Sequence, residues 1–150
     1  MPPQAQPLHF SRDGRYKILQ VADLHFSVSP GACRDTNIDC TGGGDNATMS
    51  LLSRALDIEK PDLVVFTGDQ LNGQGTSWDP MSVLAKLAKV VYRHHVPWAV
   101  VFGNHDEEDG VSKEAQVMLM KALPYSLVGR GPKDVHGVGN YVLKVKSADP

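Results

Sequence analysis

The sequence predicts an α/β layer fold built on a largely parallel sheet. Three observations carry that expectation. Short apolar runs alternate with segments of helical period, in the order strand, helix, strand, helix, strand, helix, strand. Three of the runs, Ile18 to Ala22, Leu63 to Thr67 and Trp98 to Phe102, pass directly into residue types that ligate metals. Those residues are Asp23 and His25, then Asp69, then Asn104. In open α/β sheets, sites form outside the carboxyl ends of strands, so the three junctions point to one place.

Residues 1–14 read as an N-terminal arm with a turn at Asp13-Gly14, and residues 15–150 as the domain portion. Tyr16 to Ala22 is the first strand. Asp23 to Asp45 is a long loop rich in Ser, Pro, Gly and Asp, and loops of that length inside a domain are usually functional or disordered. Because it starts at Asp23 and His25, it is expected to form a rim of the site. A helix is expected over Thr48 to Glu59, with Leu52, Ala55, Leu56 and Glu59 in period and Pro61 as its stop.

The strand Leu63 to Thr67 follows, then a Gly-rich loop over Asn72 to Ser77. Asp79 is placed to cap a helix with Pro80 in its first turn. Met81, Leu84, Ala88 and Val91 recur at three and four residues, giving that helix one inward face. Pro97 opens the third strand. An acidic, Gly-containing loop comes after Gly103-Asn104-His105-Asp106. A helix is expected after Ser112, with Val117, Met120 and Leu123 inward and Pro124 ending it. Gly129 to Gly139 reads as loop, and Asn140 to Lys146 alternates like a strand, either parallel or antiparallel to the rest.

At 150 residues the chain is long enough for one domain with a core. The formal net charge is −2 and the basic residues are dispersed, which argues against nucleic-acid binding through a basic patch. No apolar run is long enough for a membrane span. The Pro- and Gln-rich start lacks the apolar core of a signal peptide. Cys33 and Cys40 lie in one irregular stretch, and both a disulfide and two free thiols are open to them. Asn46-Ala47-Thr48 is a glycosylation sequon, a pattern also frequent by chance. The cysteine pair and the sequon together lean towards a secretory or vacuolar history.

Asp23, His25, Asp69 and Asn104 form a mixed oxygen and nitrogen donor set, which suits Mn, Fe or Zn better than Ca or thiolate-seeking ions. A carboxylate from the central junction, Asp69, can bridge two metals and offset their repulsion. Asn104 would ligate the second metal through its side-chain oxygen. His105 neighbours a ligand and is the candidate general acid for the leaving oxygen. Asp106 is the candidate carboxylate to hold that imidazole. The other histidines, His9 in the arm, His94 and His95 at a helix end and His136 in a loop, are not expected to bind metal.

Asp23-Leu24-His25, Gly68-Asp69-Gln70-Leu71-Asn72 and Gly103-Asn104-His105-Asp106 resemble the first three blocks of the calcineurin-like metallophosphoesterase superfamily. The wording of the longer stretches is similar to its purple-acid-phosphatase-like branch in fungi and plants. Those stretches are Tyr16 to His25, Cys33 to Asp35, Glu59 to Asp69, Pro97 to Asp106 and Gly137 to Tyr141. The resemblance implies a layered β-sandwich flanked by helices, of which this chain carries the N-terminal half.

It also implies a dinuclear site: one metal on Asp23 and His25, a bridge through Asp69, a second metal on Asn104, and His105 assisting the leaving group. The implied reaction is phosphomonoester hydrolysis by metal-activated hydroxide, on a small molecule or a phosphoprotein. The family's later His and Gly-His-x-His block do not occur before Pro150. The alternative expectation is therefore a truncated, catalytically incompetent fragment or a non-catalytic binding module. Asn72 stands where purple acid phosphatases carry a Tyr ligand, so an iron-tyrosinate colour is not expected.

Overall fold

The computed structural model describes residues 3–29, 31, 33, 36–37, 40 and 42–148. Its elements run β1 (Leu8–His9), β2 (Ile18–Val21), α1 (Gly44–Glu59), β3 (Leu63–Phe66), α2 (Pro80–Arg93), β4 (Trp98–Val100), α3 (Lys113–Lys121) and β5 (Val145–Lys146). The main sheet is parallel in the order β2-β3-β4, with Ile18 opposite Leu63 and Val64 opposite Trp98. The predicted α/β class and helix–strand alternation are what the chain adopts.

The sheet's interior is an apolar cluster. Val64, Phe66, Trp98 and Val100 pack against Leu52 and Leu56 of α1, Leu84, Leu87 and Val91 of α2, and Val117 and Met120 of α3. Phe66 and Trp98 meet edge to face at 6.1 Å between ring centroids, and the Trp98 indole N–H donates to Pro124 O at 2.8 Å. No helix of the described residues is long and apolar enough to cross a membrane.

Several boundaries differ from the sequence reading. Helix α1 begins at Gly44 rather than Thr48. Asp45 in its first turn is buried and ion-paired to Lys86, so tertiary contact fixes the start where local propensity did not. The sequon Asn46 therefore stands in a helical turn, its amide donating to Gly42 O. Asp79 caps α2 as expected, accepting from Ser82 N at 3.2 Å, and Ser112 caps α3, accepting from Ala115 N at 3.2 Å. Met81, however, is exposed, because the inward face of α2 runs through Val83, Leu84, Leu87, Ala88, Val90 and Val91.

The arm is not merely an arm. Leu8 and His9 form β1, which pairs in parallel with β5 in a separate two-stranded sheet. Of the expected strand Asn140 to Lys146, only Val145–Lys146 is strand. Tyr141 explains the rest. Its hydroxyl donates to Val100 O at 2.8 Å and accepts Val100 N–H at 2.9 Å, so a side chain occupies the β4 edge where a further strand would pair. Cys33 and Cys40 are joined in a disulfide.

Candidate metal centre

The site is built where β2, β3 and β4 end. Pairing between the first two segments continues past the strands: Asp23 N–H donates to Gly68 O, His25 N–H to Asp69 O and Phe26 N–H to Gln70 O, at 2.9–3.0 Å. Along this stretch Asp23, His25 and Asp69 all have left-handed backbone, with φ of 56°, 47° and 51°. For residues with a Cβ that region costs about 1–2 kcal/mol each, and such strain gathers at functional sites. The turn, rather than strand pleating, brings the side chains together. One donor atom from each of Asp23, His25 and Asp69 lies within 4.8 Å of the others.

Asp69 is buried, His25 half-buried and Asp23 exposed, so the cluster opens to solvent through Asp23. The carboxylate of Asp69 is held by the backbone of the third junction, accepting His105 N–H at 2.8 Å. Asn104 is exposed and sits between His105 and Gly103, on the same turn. Gly103 leaves room for the Asp69 carboxylate. A Cβ there would run into Asp69 Oδ1 and the Asp69 backbone nitrogen. The donor set, its convergence and its open side fit a metal ion.

His105 stands beside His25, with ring centroids 5.2 Å apart. The carboxylate beside its ring is not that of Asp106, as the sequence reading expected. Glu108 Oε1 lies 2.8 Å from His105 Nδ1, set off the line of a hydrogen bond. Glu108, helped by the more distant charges of Asp69 and Asp106, raises the imidazole above its ordinary pKa despite the opposing effect of burial.

Asp106 instead lies beneath the site. It accepts Asp69 N–H and Leu71 N–H at 3.0 Å and Gly103 N–H at 2.7 Å, tying the second junction to the third. Burial pushes its carboxyl up from the ordinary value, against the pull of those three N–H groups. Gln116 of α3 in turn donates to Asp106 O and, at 2.9 Å, to Val111 O.

The acidic loop supplies two residues that the sequence reading did not single out. Glu108 Oε2 accepts Gln74 N–H at 3.1 Å, and Asp109 accepts Gly75 N–H and Ser77 N–H. Spacing carried one signal for Glu108, a carboxylate three residues after His105. Asn72 faces its own loop, donating to Thr76 Oγ1 at 2.8 Å. On the first rim, Lys86 of α2 pairs with Asp45 at 2.6 Å and donates to Ser27 O and Val28 O, while Asp45 accepts Ser27 N–H at 3.2 Å.

The remaining histidines lie elsewhere. His94 ends α2 and contacts Ser53 Oγ at 3.0 Å, and His95 contacts Tyr125 OH at 2.8 Å. His9 lies in β1, its Nδ1 3.3 Å from Ser147 O, and the His136 carbonyl accepts Asn140 Nδ2 at 3.0 Å.

This geometry is matched by relationship. The model of the calcineurin-like phosphoesterase family aligns with residues 16–143. The chain belongs to the calcineurin-like phosphoesterase family. Phosphatase DCR2 of Saccharomyces cerevisiae is 40% identical over 150 residues, covering 95% of this chain and 26% of that protein. An uncharacterized protein, C1020.05, of Schizosaccharomyces pombe is 41% identical over 132 residues, covering 85% and 25%. Probable inactive purple acid phosphatase 14 of Arabidopsis thaliana is 34% identical over 146 residues, covering 93% and 36%. The chain thus spans about a quarter to just over a third of the length of these relatives. The family is one of metal-dependent phosphoesterases, and both its fungal and its plant branches are represented.

Proposed function

We propose that this chain carries the first half of a dinuclear phosphoesterase site that hydrolyses phosphomonoesters, on a small molecule or a phosphoprotein. Asp23 and His25 would hold one metal, Asp69 would bridge, and Asn104 would hold the second. The observation that carries the reading is the convergence of Asp23, His25 and Asp69 within 4.8 Å, on three left-handed residues at the ends of adjacent strands. Mn, Fe or Zn bound there would supply Lewis-acid charge to a phosphoryl oxygen and make water a stronger nucleophile near neutral pH.

The chain's own groups have distinct tasks. Asp69 offers one oxygen to His105 N–H, which fixes the carboxylate before any ligand arrives. His105, flanked by His25 and Glu108, holds a proton for the leaving oxygen. Asp106 acts on the backbone that carries Asp69 and Gly103. A secretory or vacuolar setting agrees with the Cys33–Cys40 disulfide.

The test is turnover of an aryl phosphate with added Mn²⁺ by this chain and by its Asp69→Asn variant. Turnover by the parent that Asp69→Asn removes supports the reading. Mn²⁺ binding without turnover favours a non-catalytic module, a second reading that the names of the plant relatives suggest. Absence of both Mn²⁺ binding and turnover overturns the metal centre.

A further inference from the structure

The carboxylate of Glu108 does two things at once. One oxygen lies 2.8 Å from His105 Nδ1, and the other accepts Gln74 N–H at 3.1 Å. His105 Nδ1 is buried and has no aligned hydrogen-bond partner among the described residues, so Glu108 is the group that meets it. The backbone is shaped around that carboxylate. Gly73, at φ +66°, lies directly against it, and a Cβ at Gly73 would collide with Glu108 Oε2. Asp109 next door takes the amides of Gly75 and Ser77 instead.

We propose that Glu108 is a positioning residue that sets the orientation and tautomer of His105 and couples the ring to the Gly73–Ser77 loop. An ionised carboxylate against Nδ1 repels a lone pair there, so the proton belongs on Nδ1. Nε2 is then the nitrogen left to face a substrate, and the proton His105 gives a leaving oxygen is the second one, carried on Nε2. The consequence for catalysis rests on the phosphoesterase reading, whereas the positioning itself does not.

The test uses this chain labelled with ¹⁵N-histidine and studied without metal, as parent and as Glu108→Gln, Glu108→Ala and Asp109→Asn. The expected parent spectrum shows the His105 proton on Nδ1. Both Glu108 variants shift the ring towards the Nε2–H form and move the Gln74 amide proton upfield. Asp109→Asn, which loosens the same loop, leaves the His105 nitrogens where they were.

Turnover of an aryl phosphate with Mn²⁺ then reads the consequence, as a roughly 10–100-fold fall in kcat at unchanged KM for Glu108→Ala, the size usual for groups that orient another. A parent ring protonated on Nε2, a ring indifferent to Glu108, or a ring moved as far by Asp109→Asn overturns the proposal. A parent with the expected ring shifts but no turnover removes the phosphoesterase reading and leaves the positioning standing.

Discussion

Gly68 and Gly103 face each other across the ends of β3 and β4, too close for a side chain on either. A Cβ on Gly68 would lie 2.9 Å from Gly103 N, and one on Gly103 would strike Asp69. Gly68 also has φ of +121°, a conformation that strains any other residue. Gly103→Ala is therefore expected to destabilise the chain by about 1–3 kcal/mol through overpacking. It should also weaken Mn²⁺ binding by displacing Asp69. Urea unfolding and Mn²⁺ titration measure the two effects, and an alanine variant with parental affinity would refute the second.

Asp106 ties the second junction to the third. Its carboxylate serves three backbone donors, so Asp106→Ala leaves Asp69, Leu71 and Gly103 N–H without their acceptor. Each buried donor left unpaired costs about 1–3 kcal/mol, and a loss of at least about 3 kcal/mol is expected. Asp106→Asn should cost less, because one oxygen can still meet the Asp69 and Gly103 donors that share Oδ2. Equal losses in urea unfolding for the two variants would argue against this division of labour.

The convergence of Asp23, His25 and Asp69 was legible in the sequence, for a physical reason. Asp23, His25, Asp69 and Asn104 sit where apolar runs stop, and parallel strands linked by helices bring such stops to one edge. The partner of His105 was not legible in the same way. Asp106 is adjacent in sequence, yet adjacency turns its side chain away from the ring, while Glu108 returns to it three residues later. The same limit hid β1. Two residues of an arm become a strand only because Val145 and Lys146 lie beside them, and no local pattern records a pairing across 137 positions. The early start of α1 is likewise set by Lys86, 41 residues on from Asp45.

Tyr141 yields a pH prediction. Burial raises its phenol above the ordinary value, outweighing the backbone hydrogen bonds to it. The unfolded phenol loses its proton at about pH 10, before the folded one does. Above that pH the unfolded state binds fewer protons, so stability falls as pH rises through about 10 and is unaffected by this group below. Tyr141→Phe should cost about 1–3 kcal/mol at pH 8, since Val100 loses both partners. Its decline between pH 8 and 10.5 should be shallower than the parent's. Tyr16, also raised by burial, keeps part of the slope. Parallel urea-midpoint curves for the two proteins would contradict the assignment.

Lys86 and Asp45 allow a sharper test, because the pair joins α2, the start of α1 and the rim after His25. The pair spans 2.6 Å, with the Asp45 side chain 7% and that of Lys86 22% exposed. Breaking a buried pair from one side strands a charge and costs about 3–5 kcal/mol, reduced here by the partial exposure of Lys86. Lys86→Met is thus expected to lose about 2–3 kcal/mol, and Asp45→Asn somewhat less, since its amide oxygen still accepts Ser27 N–H. The double variant should lose less than the sum, because neither charge is then left alone. Lys86 also holds Ser27 O and Val28 O, close behind His25, so Lys86→Met should weaken Mn²⁺ binding about tenfold, as removal of groups that orient a ligand does. Additive losses in urea unfolding would show the pair to be uncoupled, and an unchanged Mn²⁺ affinity would show that the rim sets no constraint on His25.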